Sequence, residues 1–217
     1  MKIKKFFIQI AFLLMLTSII FSCVKKNMEE DTDIKSNNEI FYYYSFDEKM
    51  FLQQLEDKIF LKFSDDANKE QIHNLINRDV SLQIIDGAFC DEGIKRFAAL
   101  ESKNNKRIPL ATLESFKKSQ EIISVLYLFE SENAFLIGLT DEFIVKLKEN
   151  TIFAQLEELA ISYNCKIGVE DEFVKNQFLL SVSKTSDFDA MQMSRMFYET
   201  DLFEFAVPNL VILNAFL

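Results

Sequence analysis

Residue types able to do chemistry are few in this chain and poorly placed for it. Ser181-Val-Ser-Lys184 has the S-x-x-K spacing of an acyl-transfer nucleophile and its lysine, and Lys184-Thr185-Ser186 follows at once. That chemistry needs the serine and lysine one helical turn apart, with partner motifs far along the chain. Here everything is crowded onto the end of a strand-like run, so no catalytic residue is expected. His73 is the single histidine, with no cysteine or carboxylate at metal-ligand spacing. No metal and no cofactor are therefore expected. Glu170-Asp171-Glu172 and the pair Asp187 and Asp189 gather carboxylates without the glycine-interrupted loop that calcium requires. They read as solvated turns and a helix start. Cys90 and Cys165 can pair only outside the cytoplasm. Nothing in the sequence brings them together, and two unpaired buried thiols are expected.

The elements that must position these residues are clearest from Asp141 to Leu213. Phe143, Val145 and Leu147 alternate with more polar partners, the period-2 mark of a half-buried strand. From Thr151, apolar Ile152, Leu156, Leu159, Ala160 and Tyr163 recur at helical steps, with Glu157 and Glu158 opposite. Two strand-like runs follow, Cys165 to Phe173 and Gln177 to Lys184, joined by a short polar turn. A second helix starts behind Ser186 or Asp187 as its cap and turns Ala190, Met193, Met196 and Phe197 inward. Leu202 to Leu213 is strand-like again, broken by Pro208. The order βαββαβ predicts a ferredoxin-like unit in an α+β chain, with two helices on one face of a four-stranded antiparallel sheet. Such a sheet leaves one face open, to be met by a partner or a polar coat.

At 217 residues and 49% hydrophobic content the chain can form one large domain or two small ones, and disorder throughout is excluded. Four glycines and two prolines are too few for a propeller or a many-hairpin sandwich. In the first half, Ile40 to Phe46 and Met50 to Leu55 read as a hairpin turning near Asp47-Glu48. Lys58 to Phe63 reads as a strand, Ile72, Leu75 and Ile76 mark a short helix, and Ser81 to Ile85 is extended. Set against the second half at an offset of about 84 residues, Lys62 falls on Lys146 and Gln71 on Gln155. Duplication and the chance likeness of two β-α-β patterns both stay open. Gly93 to Lys103 is predicted helical through Ile94, Phe97, Ala98 and Leu100, and Leu113 to Lys118 as another short helix. Glu121 to Glu130 and Ala134 to Leu139 form a β-prone hairpin turning at Ser131-Glu132-Asn133. The boundary is placed near Leu139 or Thr140, giving an N-terminal α+β unit over 40–139, possessing its own α/β character, and a second unit over 140–217. No linker composition separates them, so they are expected to pack together.

Residues 1–22 read as a targeting signal: Lys2, Lys4 and Lys5 precede an apolar stretch from Phe6 to Phe21. Ile20-Phe21-Ser22-Cys23 resembles a bacterial lipoprotein lipobox, which implies lipid attachment at Cys23 and a place in the cell envelope. A plain signal anchor is the competing reading, against which the shortness of the stretch argues. Removing 1–22 takes three lysines and no acids, moving the formal charge from −10 to −13. So acidic a chain does not bind nucleic acid by phosphate neutralisation, and anionic headgroups repel it. A lipid is then what holds it to a membrane. Residues 23–39, with Glu29, Glu30, Asp31 and Asp33, read as a flexible tether. The same acids also resemble surface-export signals of some Gram-negative lipoproteins.

The most specific stretch is Met196-Phe-Tyr-Glu-Thr-Asp-Leu-Phe-Glu-Phe-Ala-Val-Pro-Asn-Leu210. It resembles the last helix and strand of the N-terminal prodomain of subtilisin-like serine proteases. Phe197, Tyr198, Glu199, Leu202, Phe203, Ala206, Pro208 and Asn209 match, and Val207 departs where an acid is usual. With the preceding βαββ order opened by Phe143-Ile-Val-Lys146, the resemblance covers roughly 141–213. It extends over the first half, from Tyr42 through Lys58-Ile-Phe-Leu-Lys62, in lipoprotein members with long N-terminal regions. The resemblance implies a module that lays its open sheet face on a protease, guides its folding and threads its last residues through the substrate cleft. The stretch it marks here is Phe203, Phe205, Ala206, Pro208, Asn209 and Leu210, followed by apolar Val211-Ile-Leu213 and Ala215-Phe-Leu217.

The protease's own motifs are not found: His73 is alone and no serine elbow occurs, so an Asp-His-Ser triad is not expected. The chain reads as a non-catalytic, stand-alone prodomain-like lipoprotein or the N-terminal part of a truncated protease, with a subtilisin-like serine protease as partner. The closing stretch acts either as an added strand or substrate-like tail, or simply completes the sheet. From a different class comes a cell-envelope binding or assembly module unrelated to proteolysis, since the fold serves many functions.

Overall fold

The computed structural model describes residues 40–91 and 96–213. The expected signal 1–22, Cys23, the tether 23–39, Gly93 to Lys95 of the expected helix, and Ala215 to Leu217 lie outside the described residues. The described chain is mixed α/β, with a nine-stranded open sheet and four helices. Every strand pair is antiparallel.

In the first half, β1 (Phe41–Ser45) turns at Phe46-Asp47 into β2 (Glu48–Phe63). The runs Met50 to Leu55 and Lys58 to Phe63 are one strand, carried through by a bulge between Leu55 and Ile59. Helix α1 (Lys69–Ile76) is opened by Asn68, whose side chain accepts from Gln71 N–H while Gln71 accepts from Asn68 N–H. Then come β3 (Leu82–Cys90), β4 (Phe97–Ser102), α2 (Leu110–Lys117) and β5 (Ile122–Ser131). The order across the sheet is β3-β4-β2-β5.

The helix predicted over Gly93 to Lys103 is corrected: Phe97–Ser102 is a strand between β3 and β2. Phe97, Ala98, Ala99 and Leu100 are all at most 7% exposed, so both faces of β4 are covered. A short apolar run buried on both sides shows no alternation, and periodicity cannot tell it from a helix.

In the second half, β6 (Leu136–Leu147) passes unbroken through Leu139 and Thr140, where the sequence places a boundary. Helix α3 (Phe153–Ser162), β7 (Cys165–Glu170), β8 (Gln177–Val182), α4 (Ala190–Tyr198) and β9 (Phe203–Ile212) follow. One edge of β6 carries β9 along its length; the other carries β5 at Leu136 and Ile137, then β8 from Glu142 to Lys146. The local order is therefore β9-β6-β8-β7. Two expectations change. The cap of α4 is Asp189, not Ser186 or Asp187, with Oδ1 accepting from Gln192 N–H at 2.8 Å. Pro208 does not break β9 but pairs opposite Phe143, because β9 is an edge strand and an edge tolerates a missing donor.

Side-chain alternation sorts the core into layers. Phe143, Val145, Leu147, Phe178, Leu180, Phe203 and Ala206 meet Leu156 and Ala160 of α3 and Ala190, Met193 and Phe197 of α4. Ile59, Leu61 and Phe63 meet Ile72, Leu75 and Ile76 of α1 and Leu113 and Phe116 of α2. The opposite face of the first half is also dry: Phe60, Ala99 and Leu128 pack with Val211 and Leu213 from the end of β9. Burying a valine or leucine is worth about 1.5–3 kcal/mol. Gly138 makes this crossing possible, since a Cβ there would lie 2.3 Å from Phe60 Cδ2. Gly138→Ala is accordingly expected to destabilise the fold by about 1–3 kcal/mol, read as a lower urea midpoint at unchanged slope.

Candidate functional site

Because Phe143, Val145 and Leu147 turn under α3 and α4, alternation sends Glu142, Ile144 and Lys146 to the other face of the sheet. Register fixes their neighbours. Ile144 lies between Leu179 of β8 and Val207 of β9, and Lys146 between Gln177 and Phe205. Leu179 is 38% exposed, while Ile144, Phe205 and Val207 are half-buried. The result is an apolar strip across three strands over which, among the described residues, no helix lies. Lys146 pairs with Glu204 at 2.9 Å and Lys62 with Glu142 at 3.2 Å, so charged groups at its margins are already neutralised.

The β1–β2 turn rims this strip. Phe46 holds φ at 55°, a region that disfavours side chains, and its ring stands edge-on to Phe205 at 6.4 Å. A groove of about 410 Å³ opens between Phe46 and Ser45 on one side and Ile144, Gln177, Val207 and Leu210 on the other. Across the same edge, Tyr44 stacks on Tyr198 at 4.3 Å and Arg195 sits 4.5 Å from the Tyr42 ring centroid. The Tyr198 hydroxyl donates to Asp47 Oδ1 at 2.7 Å, and that bond pushes its pKa up.

The expected contact stretch is divided. Phe203, Ala206 and Pro208 face inward and are buried. Phe205, Asn209 and Leu210 are half-buried, with Phe205 on the strip and Asn209 Nδ2 donating to Glu142 Oε2 at 3.0 Å. Ile144, Leu179 and Phe46 were not singled out from sequence. The strand alternation of β6 carries the signal for Ile144, since it must oppose Phe143 and Val145. Phe46 gives no such signal, because nothing local says which way a turn residue leans.

The chemistry-bearing residues have structural uses. Lys184 Nζ donates to the carbonyls of Ser119 and Ile122, each at 2.7 Å, strapping the α2–β5 turn to the end of β8. Burial, then the Lys117 charge, lowers its pKa. Its ammonium is engaged by backbone, and Ser181, the serine of the S-x-x-K spacing, lies within β8 opposite Glu142. Asp171 Oδ1 accepts from Phe173 and Val174 N–H, and Glu170 Oε1 from Asn176 N–H, shaping the β7–β8 turn. His73 is half-exposed, 3.8 Å from Asp91. Among the described residues no cluster of His, Cys, Asp and Glu could hold a metal ion, and no helix is long and apolar enough to cross a membrane.

Cys90 on β3 and Cys165 on β7 lie at opposite ends of the strand order and form no disulfide, and both are partly buried rather than buried as expected. Burial pushes the Cys165 thiol up to about 11, so it stays protonated and unreactive near neutrality. Native-state alkylation of Cys165 is expected to be slow at pH 8 and to accelerate up to about pH 11, monitored by mass spectrometry of the modified peptide.

No family model matches this sequence, and no curated protein matches it.

Proposed function

We propose that this chain is a non-catalytic, prodomain-like lipoprotein whose second half docks a subtilisin-like serine protease through the open face of its sheet. In this reading the second half is a ferredoxin-like unit, and Cys23 carries the lipid that holds the chain in the cell envelope. The observation that carries the reading is the strip itself: strands in the order β9-β6-β8-β7, two helices on one side, and apolar Ile144, Leu179, Phe205 and Val207 on the uncovered side. A face of that composition is favourable to cover and indifferent to charge at its centre, as in the core of a protein interface. The closing motif Phe197 to Asn209 runs from α4, on the opposite face, into β9, which supplies Phe205 and Val207 to the strip. Docking of this kind uses no cofactor and no nucleic acid.

The first half supports a further part of the reading, that it is a divergent copy of the second. Its order β3-β4-β2-β5 places first, second, third and fourth strands as β6, β7, β8 and β9 are placed. Gln71 and Gln155 each accept from the backbone N–H three residues earlier, at the start of α1 and α3.

A second reading is favoured by the end of β9. Val211 and Leu213 are 7% and 3% exposed, which suits a strand that completes the fold rather than a free substrate-like tail. A cell-envelope binding module unrelated to proteolysis would use the same strip with a different partner.

The two readings separate in one titration. Residues 24–217 added to a subtilisin-like protease with a chromogenic peptide are expected to give slow-release inhibition. Ile144→Asp, on the strip and outside the core, is expected to weaken it by at least about tenfold. Immediate degradation without a lag removes the protease reading, and equal inhibition by the variant removes the strip as the docking face.

A further inference from the structure

Different partners hold the closing strand along its length. Phe203 to Pro208 runs beside Leu147 to Phe143 and against α4, within the second half's own sheet. The ladder then slips between Leu139 and Phe143, leaving Thr140, Asp141 and Glu142 bulged opposite Asn209. Beyond the slip, Leu210 to Ile212 pairs with Leu139 to Ile137, and Val211 and Leu213 join Phe60 and Leu128 of the first half. A bulge is a place where a strand bends and its pairing is interrupted.

A polar cluster drawn from both halves closes the slip. Lys62 Nζ, on β2, donates to Asp141 Oδ1 at 2.6 Å and stands 3.2 Å from Glu142 Oε1. Asn209 Nδ2 donates to the other Glu142 oxygen at 3.0 Å. Thr140 Oγ1 donates to the Asn209 carbonyl at 2.8 Å and accepts from Glu142 N–H at 3.1 Å. The Lys62 and Asp141 side chains are 15% and 14% exposed, so solvent ions screen the pair weakly. Thr140 and Glu142 of β6 hold Asn209, Lys62 fixes that stretch of β6 from the first half, and Val211 and Leu213 rest directly on Phe60 and Leu128.

We propose that the first half is an intramolecular cradle for residues 209–213 and that the Lys62 cluster is its latch. Opening the latch frees this segment as an extended arm while Phe203 to Pro208 stays in the sheet, a local order-to-disorder step. A partner shifts the chain to the open state only by binding the freed arm better than the cradle does. That the arm then engages a protease rests on the docking reading above; the sequestration itself does not. An arm continuous with β9 leaves beside the strip carrying Val207, so docking and release share one edge of the molecule.

Amide hydrogen exchange on the full chain in detergent, wild type against Lys62→Met, tests the latch. Leu210 to Ile212 is expected to exchange about tenfold faster in the variant, with Phe203 to Val207 unchanged. Asn209→Ala, which removes an amide contact and no charge, is expected to shift the same amides in the same direction. It keeps the test decisive should Lys62→Met fail to fold. If exchange rises equally on both sides of Pro208, or rises nowhere, the cradle is overturned. The same chains in the protease titration separate the two ideas. Faster exchange with tighter inhibition supports both. Faster exchange with no inhibition by any chain upholds the cradle and removes the protease reading, whereas inhibition that no variant strengthens overturns the latch as a regulator.

Discussion

Contact between Gly138 and the Phe60 ring is the constraint on which the arrangement depends. A sheet with helices on one side leaves a second face to be wetted or covered, and the first half resolves this by receiving the β6–β9 ribbon on Phe60, Ala99 and Leu128. The ribbon comes close enough only because residue 138 has no side chain to hold it off. From that approach follow the burial of Val211 and Leu213, the meeting of Lys62 with Asp141 and Glu142, and the continuity of one sheet through both halves. The two halves are therefore treated differently. One has its open face covered from within; in the other, among the described residues, no helix covers Ile144, Leu179, Phe205 and Val207.

Charge is used sparingly in this fold. Within so acidic a chain, the lysines that matter are each assigned: Lys62 to the junction, Lys146 to Glu204, Lys58 to Asp57 and Glu101, Lys184 to two carbonyls. Half-buried pairs of this kind contribute modestly to stability but fix register, because removing one partner strands the other. Acidic side chains do the equivalent at turns and caps, as Asp171 and Asp189 show by holding backbone N–H groups. Asp171, Asp189 and Lys184, chemically suggestive in sequence, each hold backbone groups in place.

How far the sequence disclosed this depended on whether the deciding forces were local. The second half was legible because Phe143, Val145 and Leu147 alternate and Leu156 and Ala160 recur at helical spacing, and both signals survive into buried side chains. The strand at Phe97–Ser102 was misread because burial on both faces erases alternation, and its strand character comes from β2 and β3 rather than from its own residues. Met50 to Leu55 and Lys58 to Phe63 were seen as separate for a related reason: a bulge shifts the phase of the pattern without ending the strand. At the candidate face the strand motif was visible, but the rim at Phe46 was not. Nothing near a turn residue reports a neighbour more than 150 positions away. The seating of β9 against the first half was equally hidden, since it depends on a glycine whose usefulness appears only once Phe60 is opposite it.

The order in which the chain meets its surroundings also has a mechanical side. Strand β1 has five residues and is paired on one edge to β2, and it is also held by the Tyr44–Tyr198 stack, the Tyr42–Arg195 contact and the packing of Phe41 and Tyr43 on the core, with Phe41 edge-on to Phe129. Tension arriving at Ile40 from the preceding chain loads that short ladder from its end, one rung at a time, rather than shearing the wide sheet behind it. A pull strong enough to move β1 bares the flank of α4 and the outer edge of β9 and lifts Phe41 away from Phe129.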